Sequence, residues 1–464
     1  MKFGGSSLAD TARIEGAATI IAGYTPGKVV VVVSAMGGVT DTLIAAFHKT
    51  REHGVKAAHP YLSDLRDKYA AVIDGLPLDE AATTELRQHI DTLESALQSD
   101  LQDVEAMDFD DKRLYDRVVS YGERASVLLV AAALQAQGIP AVSIEASELI
   151  VTNARFGDAE PILGASRQKL QGVLTPILED AIIPVVTGFI GATVHGEITT
   201  LGRGASDYTS TILAFCLDAD KVTIWTDVTG VMTADPRVIH DAQTISALSY
   251  EEAAELSFYG AKVLHPMTML PVVQKNIPVY IKNTFEPAAK GTKIAARGSS
   301  KTATVKAVTT LRGLSMITIR GAGATSALQH LAKIIDALLE KNIEIITLQQ
   351  SSSDHNTVIL VRSYVADEAA NSIAKLMIDD VAAEHSVVRV VPDVSIVAVV
   401  GDGIHALPGL AGQVFSSLAV SGIEAMMIAY GSSKHNLTFA IKTADEHNAI
   451  RGLHQAFQLV AEDT

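Results

Sequence analysis

The last third of the chain is built twice. Residues Ile317 to Gly323 return as Val397 to Gly403. The same offset of 80 carries Ile343 and Glu344 onto Ile423 and Glu424, and Ser352, Ser353, His355 and Asn356 onto Ser432, Ser433, His435 and Asn436. A repeat held in register over so many positions marks one supersecondary unit used twice. Each copy reads as a strand, a glycine turn, an amphipathic helix and two strands around a Ser-Ser turn, with a further αβ to follow. In the first copy Leu328, Leu331, Ile335, Leu338 and Leu339 mark the helix face, and Ile343 to Leu348 and Val358 to Val361 mark the strands. A unit of this kind leaves a sheet face or edge open, so we expect side-by-side pairing.

The first 290 or so residues follow a different rhythm, short β-branched runs alternating with longer helical stretches, as when helices cover both faces of a mainly parallel sheet. Val29 to Val33, Ala181 to Val186 and Lys221 to Trp225 are the clearest strands. Between residues 50 and 115 Leu86, Ile90, Leu93 and Leu97 share one helical face, which predicts a helical excursion. Ile277 to Lys282 reads as a strand and the polar stretch Arg297 to Thr304 as a linker. The expected division is an α/β domain over residues 1–296 and two α+β modules over 305–388 and 389–464.

Composition narrows the partners. A formal charge of −16 disfavours nucleic acid and anionic membranes, leaving small molecules as the expected substrates. Cys216 is the only cysteine, which excludes an intrachain disulfide and a cysteine zinc site and fits a reducing, cytoplasmic setting. The N-terminus has no basic stretch followed by an apolar core, and no apolar run approaches the roughly 20 residues that span a bilayer, so neither secretion nor a membrane partner is expected.

Several turns carry chemistry-bearing side chains. Lys2-Phe3-Gly4-Gly5-Ser6-Ser7 sets a lysine before a glycine pair and two hydroxyls, the types that neutralise and cradle a polyphosphate, although such a turn also serves simply to join strand to helix. The run from Val31 to Asp41 joins a buried strand to a small-residue turn, making Ser34 and Thr40 candidate donors. Equally, Gly37 and Gly38 could only shape a turn that Thr40 caps. Gly202-Arg203-Gly204-Ala205-Ser206-Asp207 precedes an apolar helix. An arginine fork there suits a carboxylate or phosphate, while Asp207 could instead cap the helix. Trp225 to Arg237 is a loop able to wrap a nucleotide, or a pair of Asp and Pro turns. Glu123, in Tyr121-Gly122-Glu123-Arg124, could receive an ammonium group or be merely solvated, and His265 reads as structural.

Taken in order, Lys2 to Ser7, Val32 to Asp41, Tyr121 to Ser126, Leu201 to Ser210, Ile224 to Arg237 and Phe258 to Pro266 resemble the aspartokinases across nearly the entire chain. The repeat resembles their tandem ACT domains. The resemblance implies an amino-acid kinase αβα sandwich followed by two ferredoxin-like ACT modules. It implies transfer of the ATP γ-phosphoryl group to the β-carboxylate of L-aspartate, the entry to lysine, threonine, methionine and diaminopimelate. Lys2 would neutralise the migrating charge and Asp207 would orient the reacting groups or a lysine. Gly4, Gly5 and Ser6 would shape the phosphate loop, and Ser34, Thr40, Glu123, Arg203 and Ser206 would hold aspartate. Thr226, Asp227, Met232, Arg237 and Lys262 would contact ATP. Magnesium would come with the nucleotide, held by phosphate oxygens and water without a protein metal cluster.

The ACT pair implies inhibition by an amino acid, threonine or lysine, bound near Gln350, Ser352 and Asn356, in a homodimer or higher oligomer joined through these modules. Two positions depart from the family pattern. Met232 stands where many relatives have tyrosine and could still pack on the base. Tyr430 stands where the threonine-responsive branch often has glutamine, so one effector site is expected to be altered or lost. No Rossmann glycine fingerprint follows the second module, so these residues carry no dehydrogenase, whether the chain is monofunctional or a fragment. The competing expectations are a kinase of the same fold acting on glutamate, N-acetylglutamate or a nucleotide monophosphate, and a catalytically silent amino-acid sensor.

Overall fold

A computed structural model describes residues 1–107, 111–202, 204–261, 264–298, 304–320, 327–350, 356–378, 387–431 and 433–459. They form two compact units, Met1–Val231 with Thr244–Ala254 and Val263–Ser299, and Met232–Gln243 with Glu255–Lys262 and Ser300–Thr464.

The strands of the first unit are β1 (Lys2–Phe3), β2 (Val31–Val33), β3 (Ala141–Ile144), β4 (Val151–Thr152), β5 (Ile183–Thr187), β6 (Ile190–Thr193), β7 (Ile198–Thr200), β8 (Val222–Thr226), β9 (Ala247–Ser249), β10 (Val279–Asn283) and β11 (Thr292–Ala295). Eight of them make one sheet in the order β3-β5-β2-β1-β8-β10-β11-β9, and β4, β6 and β7 make a smaller one. All neighbours in the large sheet are parallel except β10 and β11. The valine run shows why. Val31 and Val33 enter one apolar cluster and Val32 enters another on the opposite face, so both faces are covered and no alternation of polar residues is needed. The helical excursion is present as His59–Gly75 and Glu80–Ala106, with Leu86, Ile90 and Leu97 buried. Because β1, β2, β5 and β8 run parallel, their carboxyl ends and the turns that follow share one edge, where open α/β sheets bind ligands.

The second unit holds β12 (Ala307–Arg320), β13 (Thr347–Gln350), β14 (Asn356–Arg362), β15 (Val387–Val400), β16 (Met427–Tyr430) and β17 (Asn436–Lys442) in the antiparallel order β13-β14-β12-β15-β17-β16. The repeats do pair side by side. Leu314 faces Val394, its own counterpart in the other copy, and pairs such as Ala307 with Val400 and Arg320 with Val387 are related by the same exchange. The sheet therefore has a pseudo-twofold axis at Leu314 and Val394. Both long strands are irregular beside it, at Gly313 (φ 73°) and Asp393 (φ 57°).

Each long strand serves both copies. Residues 387–391 pair with 316–320 in the first, while 307–311 pair with 396–400 in the second. The expected division at 388/389 thus falls inside β15. Helices Ala327–Glu340 and Ala366–Ile378 cover one copy, and Leu410–Val420 and Glu446–Ala456 the other. The helix face differs from expectation at its end. Ile334 and Leu338 are buried while Leu339 is 62% exposed, because a helix sets residues four apart on one face and turns the next one out.

Candidate active site

At the carboxyl edge of the parallel sheet the first unit has a cleft of about 660 Å³. Its walls include Lys2, Gly5, Ser34, Thr40, Glu123, Ser206 and Asp207, drawn from four separate stretches of sequence. The β1 and β2 turns clasp each other. Gly37 N–H donates to the Gly5 carbonyl at 3.0 Å and Ser34 N–H to the Phe3 carbonyl at 3.1 Å. A Cβ on Gly5 would stand 2.8 Å from the Ala35 carbonyl oxygen, so the close approach admits no side chain. On the far side of the same loop Gly122, in the helix Lys112–Ala136, leaves no room for a Cβ, which would lie 2.7 Å from that of Ala35. This contact brings the next residue, Glu123, to the cleft.

Lys2 and Asp207 meet at the head of the cleft, Nζ to Oδ1 at 2.8 Å, with side chains only 11% and 15% exposed. Oδ1 nonetheless lacks a directed hydrogen bond, so this is a contact of charges that does not lock the ammonium donors. Asp207 lies in the first turn of the helix Ala205–Cys216, where a carboxylate is favoured by the unpaired amides. Glu123 is 4% exposed and its Oε2 has no hydrogen-bond partner among the described residues. Burial pushes its carboxyl up to about 8, against the opposing pull of backbone hydrogen bonds and of Lys2.

Asp116 escaped the sequence reading. Fully buried, it accepts from Gly157 N–H at 2.9 Å, Thr200 N–H at 2.9 Å and Thr200 Oγ1 at 2.7 Å, and thereby ties two cleft-lining segments to the helix that carries Glu123. Desolvation raises its pKa, while those hydrogen bonds oppose the rise. Its only signal in the sequence is its position seven residues before Glu123, two helical turns along the same face.

Gly4 and Ser6 flank the cleft, Gly4 N–H donating to the Trp225 carbonyl and the Ser6 carbonyl accepting from Arg13. Thr226 ends β8 on the same edge, its hydroxyl 3.1 Å from Asp227 Oδ1. Met232 and Arg237 belong to the second unit, where Arg237 is 81% exposed and forks onto Asp235 at 2.7 Å. Gln350 and Asn356 stand at the ends of β13 and β14, which form one hairpin. Arg203, Lys262 and Ser352 lie outside the described residues. No three acidic, histidine or cysteine side chains gather to hold a metal among the described residues, and none of their helices is long and apolar enough to cross a membrane.

Comparison with known proteins agrees with this arrangement. Residues 1–283 match the model of the amino acid kinase family, and 317–377 and 397–457 each match an ACT domain. The chain is 30% identical to the lysine-sensitive aspartokinase 3 of Escherichia coli over 98% of its own length and 97% of that protein's. It is 31% identical to the chloroplastic bifunctional aspartokinase/homoserine dehydrogenase 1 of Arabidopsis thaliana, spanning 99% of itself and 51% of that relative. The chain thus covers about half the length of the bifunctional relatives it matches. The crystal structure of E. coli aspartokinase III with aspartate and ADP superposes with a TM-score of 0.83 at 29% identity, covering 98% of this chain and 99% of the other. The chain belongs to the amino acid kinase family, and within it to the aspartokinases that carry paired ACT domains.

Proposed function

We propose that this chain transfers the γ-phosphoryl group of ATP to the β-carboxylate of L-aspartate, releasing ADP and 4-phospho-L-aspartate, and that an amino acid acting on the ACT modules restrains it. The observation that carries the reading is the meeting of Lys2 with Asp207 over a cleft that also presents Glu123, whose Oε2 has no hydrogen-bond partner among the described residues. A β-carboxylate oxygen of aspartate attacks the γ-phosphorus, the bond to the β,γ-bridging oxygen breaks, and the electron pair leaves on ADP. The acceptor is already an anion, so no general base is needed. Catalysis rests on alignment and charge neutralisation.

Lys2 faces the anionic group in transit and Asp207 holds that lysine in place. The turns after β1 and β2 bring backbone amides and the Ser34 and Thr40 hydroxyls to the two reactants, and Gly4, Gly5 and Ser6 shape the phosphate side. Glu123, Arg203 and Ser206 are assigned to aspartate, Glu123 to its ammonium group and Arg203 to a carboxylate. Thr226, Asp227, Met232, Arg237 and Lys262 are assigned to the nucleotide. Magnesium would come with the triphosphate, held by phosphate oxygens and water with Asp207 as the carboxylate available to it, and would offset phosphate charge.

E. coli aspartokinase III has been crystallised with lysine and aspartate, and lysine or threonine is the effector proposed here, bound near Gln350, Ser352 and Asn356 in an ACT-linked oligomer. The test is ADP release, with the acyl phosphate trapped by hydroxylamine, measured with aspartate, glutamate and N-acetylglutamate as acceptors. Aspartate alone should support turnover and yield the hydroxamate. Turnover with another acceptor and none with aspartate would overturn the reading.

A further inference from the structure

In the second ACT module two side-chain donors meet a carboxylate that the chain itself supplies. In the hairpin of β16 and β17 the Ser433 hydroxyl donates to Glu255 Oε1 at 2.7 Å and the Asn436 side-chain amide donates to Glu255 Oε2 at 2.6 Å. The two donors therefore grip one carboxylate, an oxygen each. Ser433 is set for this, because its oxygen also accepts the His435 backbone N–H at 3.1 Å, leaving the hydroxyl hydrogen to point outward. Asn436 is 5% exposed, so its donor is largely withdrawn from water, and hydrogen bonds to an ionised acceptor in such a place are among the stronger ones.

Glu255 comes from the segment Glu255–Lys262 that packs within the second unit. The same segment is fixed there by the Thr309 hydroxyl, which donates to the Tyr259 carbonyl at 3.1 Å, and by the close approach of Gly260 to the Thr310 carbonyl. The repeat gives these donors their meaning. Ser433 and Asn436 are the counterparts of Ser353 and Asn356, yet Glu255 has no counterpart in the repeat, since it lies well before the first copy begins. One sequence motif thus exists twice, and in one copy the chain supplies the anion.

We propose that Ser433 and Asn436 form a carboxylate-binding site which Glu255 occupies as a built-in ligand. A free carboxylate, such as that of an amino acid, is excluded from the second module while Glu255 is in place, and finds a ready donor pair when it is removed. The inference stands apart from the phosphoryl-transfer reading, and its test needs no activity.

Thermal unfolding of the full chain is followed for the wild type, Glu255→Ala, and Glu255→Ala combined with Asn436→Ala, in sodium acetate and in sodium chloride of equal ionic strength. Glu255→Ala should melt several degrees below the wild type in chloride. Acetate should recover part of that loss, with no such shift in the wild type or the double variant, because binding to the folded state raises the midpoint. Should Glu255→Ala yield no folded protein, Glu255→Gln takes its place through a cycle with Asn436→Ala. Equal losses that fail to add identify the shared contact, and additive losses refute it. A Glu255→Ala protein that melts with the wild type, or acetate stabilising every variant alike, would overturn the proposal.

Discussion

Glu123 in the first unit and Glu446 in the second are both buried, 4% and 2% exposed, yet the chain surrounds them in opposite ways. Glu446 is met by the Arg312 guanidinium at 2.5 Å, by the Thr310 hydroxyl at 2.9 Å and by Ser395 at 3.4 Å, which ties the helix Glu446–Ala456 to the sheet. Glu123 keeps one oxygen without a hydrogen bond, its carboxyl pushed up to about 8 by burial, and it faces a cleft. A carboxylate satisfied on every side contributes structure. One left wanting a cation costs folding free energy and persists where a ligand supplies that cation.

The contrast breaks first at Lys2. If the first unit is built to receive charge, Lys2→Ala should lower kcat by about 10² to 10³ while the chain stays folded, the scale of losing one preorganised donor to a developing anion. Steady-state ADP release beside a thermal melt measures both. Full turnover would remove Lys2 from the chemistry.

Glu123→Gln sharpens the contrast through pH. The folded-state pKa lies above the ordinary glutamate value, so between about 4.5 and about 8 the folded chain holds a proton that the unfolded chain has lost. Stability from this group is therefore full below about 4.5 and drains away as the pH rises through about 8, by an amount on the order of a few kcal/mol. The glutamine variant cannot ionise. It should match the wild type in acid and be the more stable of the two above about pH 8, as unfolding midpoints across that range would show.

Glu446→Gln should do the reverse, lowering the unfolding free energy of the second unit by roughly 2 kcal/mol at neutral pH. The figure is held down because the Arg312 side chain is 44% exposed and water takes over part of its solvation. Denaturant titration gives the value, and an unchanged midpoint would show the network to be ornamental. Smallest of all is Arg237→Ala. Its pair with Asp235 is exposed, so the variant should melt with the wild type, and only the KM for ATP should rise if Arg237 reaches the nucleotide.

How far the sequence could see follows the same division. The parallel sheet was legible because Val31 to Val33 is apolar without alternation, and the paired modules because one offset preserves Ile343, Ser353 and Asn356 in both copies. The sharing of β12 and β15 between the modules was not, since a bulge at Gly313 and Asp393 that redirects a strand leaves no periodic trace. In the site, Lys2, Ser34, Glu123 and Asp207 were readable because each sits in a glycine-bearing turn or a short motif. Asp116 was not, because its role is to hold the backbone of Gly157 and Thr200, partners 41 and 84 residues away that nothing local announces. Leu339 misled for the opposite reason, an apolar residue adjacent to the buried face that points outward.

The most direct test of whether the buried Glu123 is kept for the acceptor's ammonium group is the KM for aspartate as a function of pH, in the wild type and in Glu123→Gln. In the wild type KM should fall as the pH is raised toward about 8, because binding needs the ionised carboxylate. In the variant it should be raised at neutral pH and lack that titration. Two superimposable profiles would contradict the account.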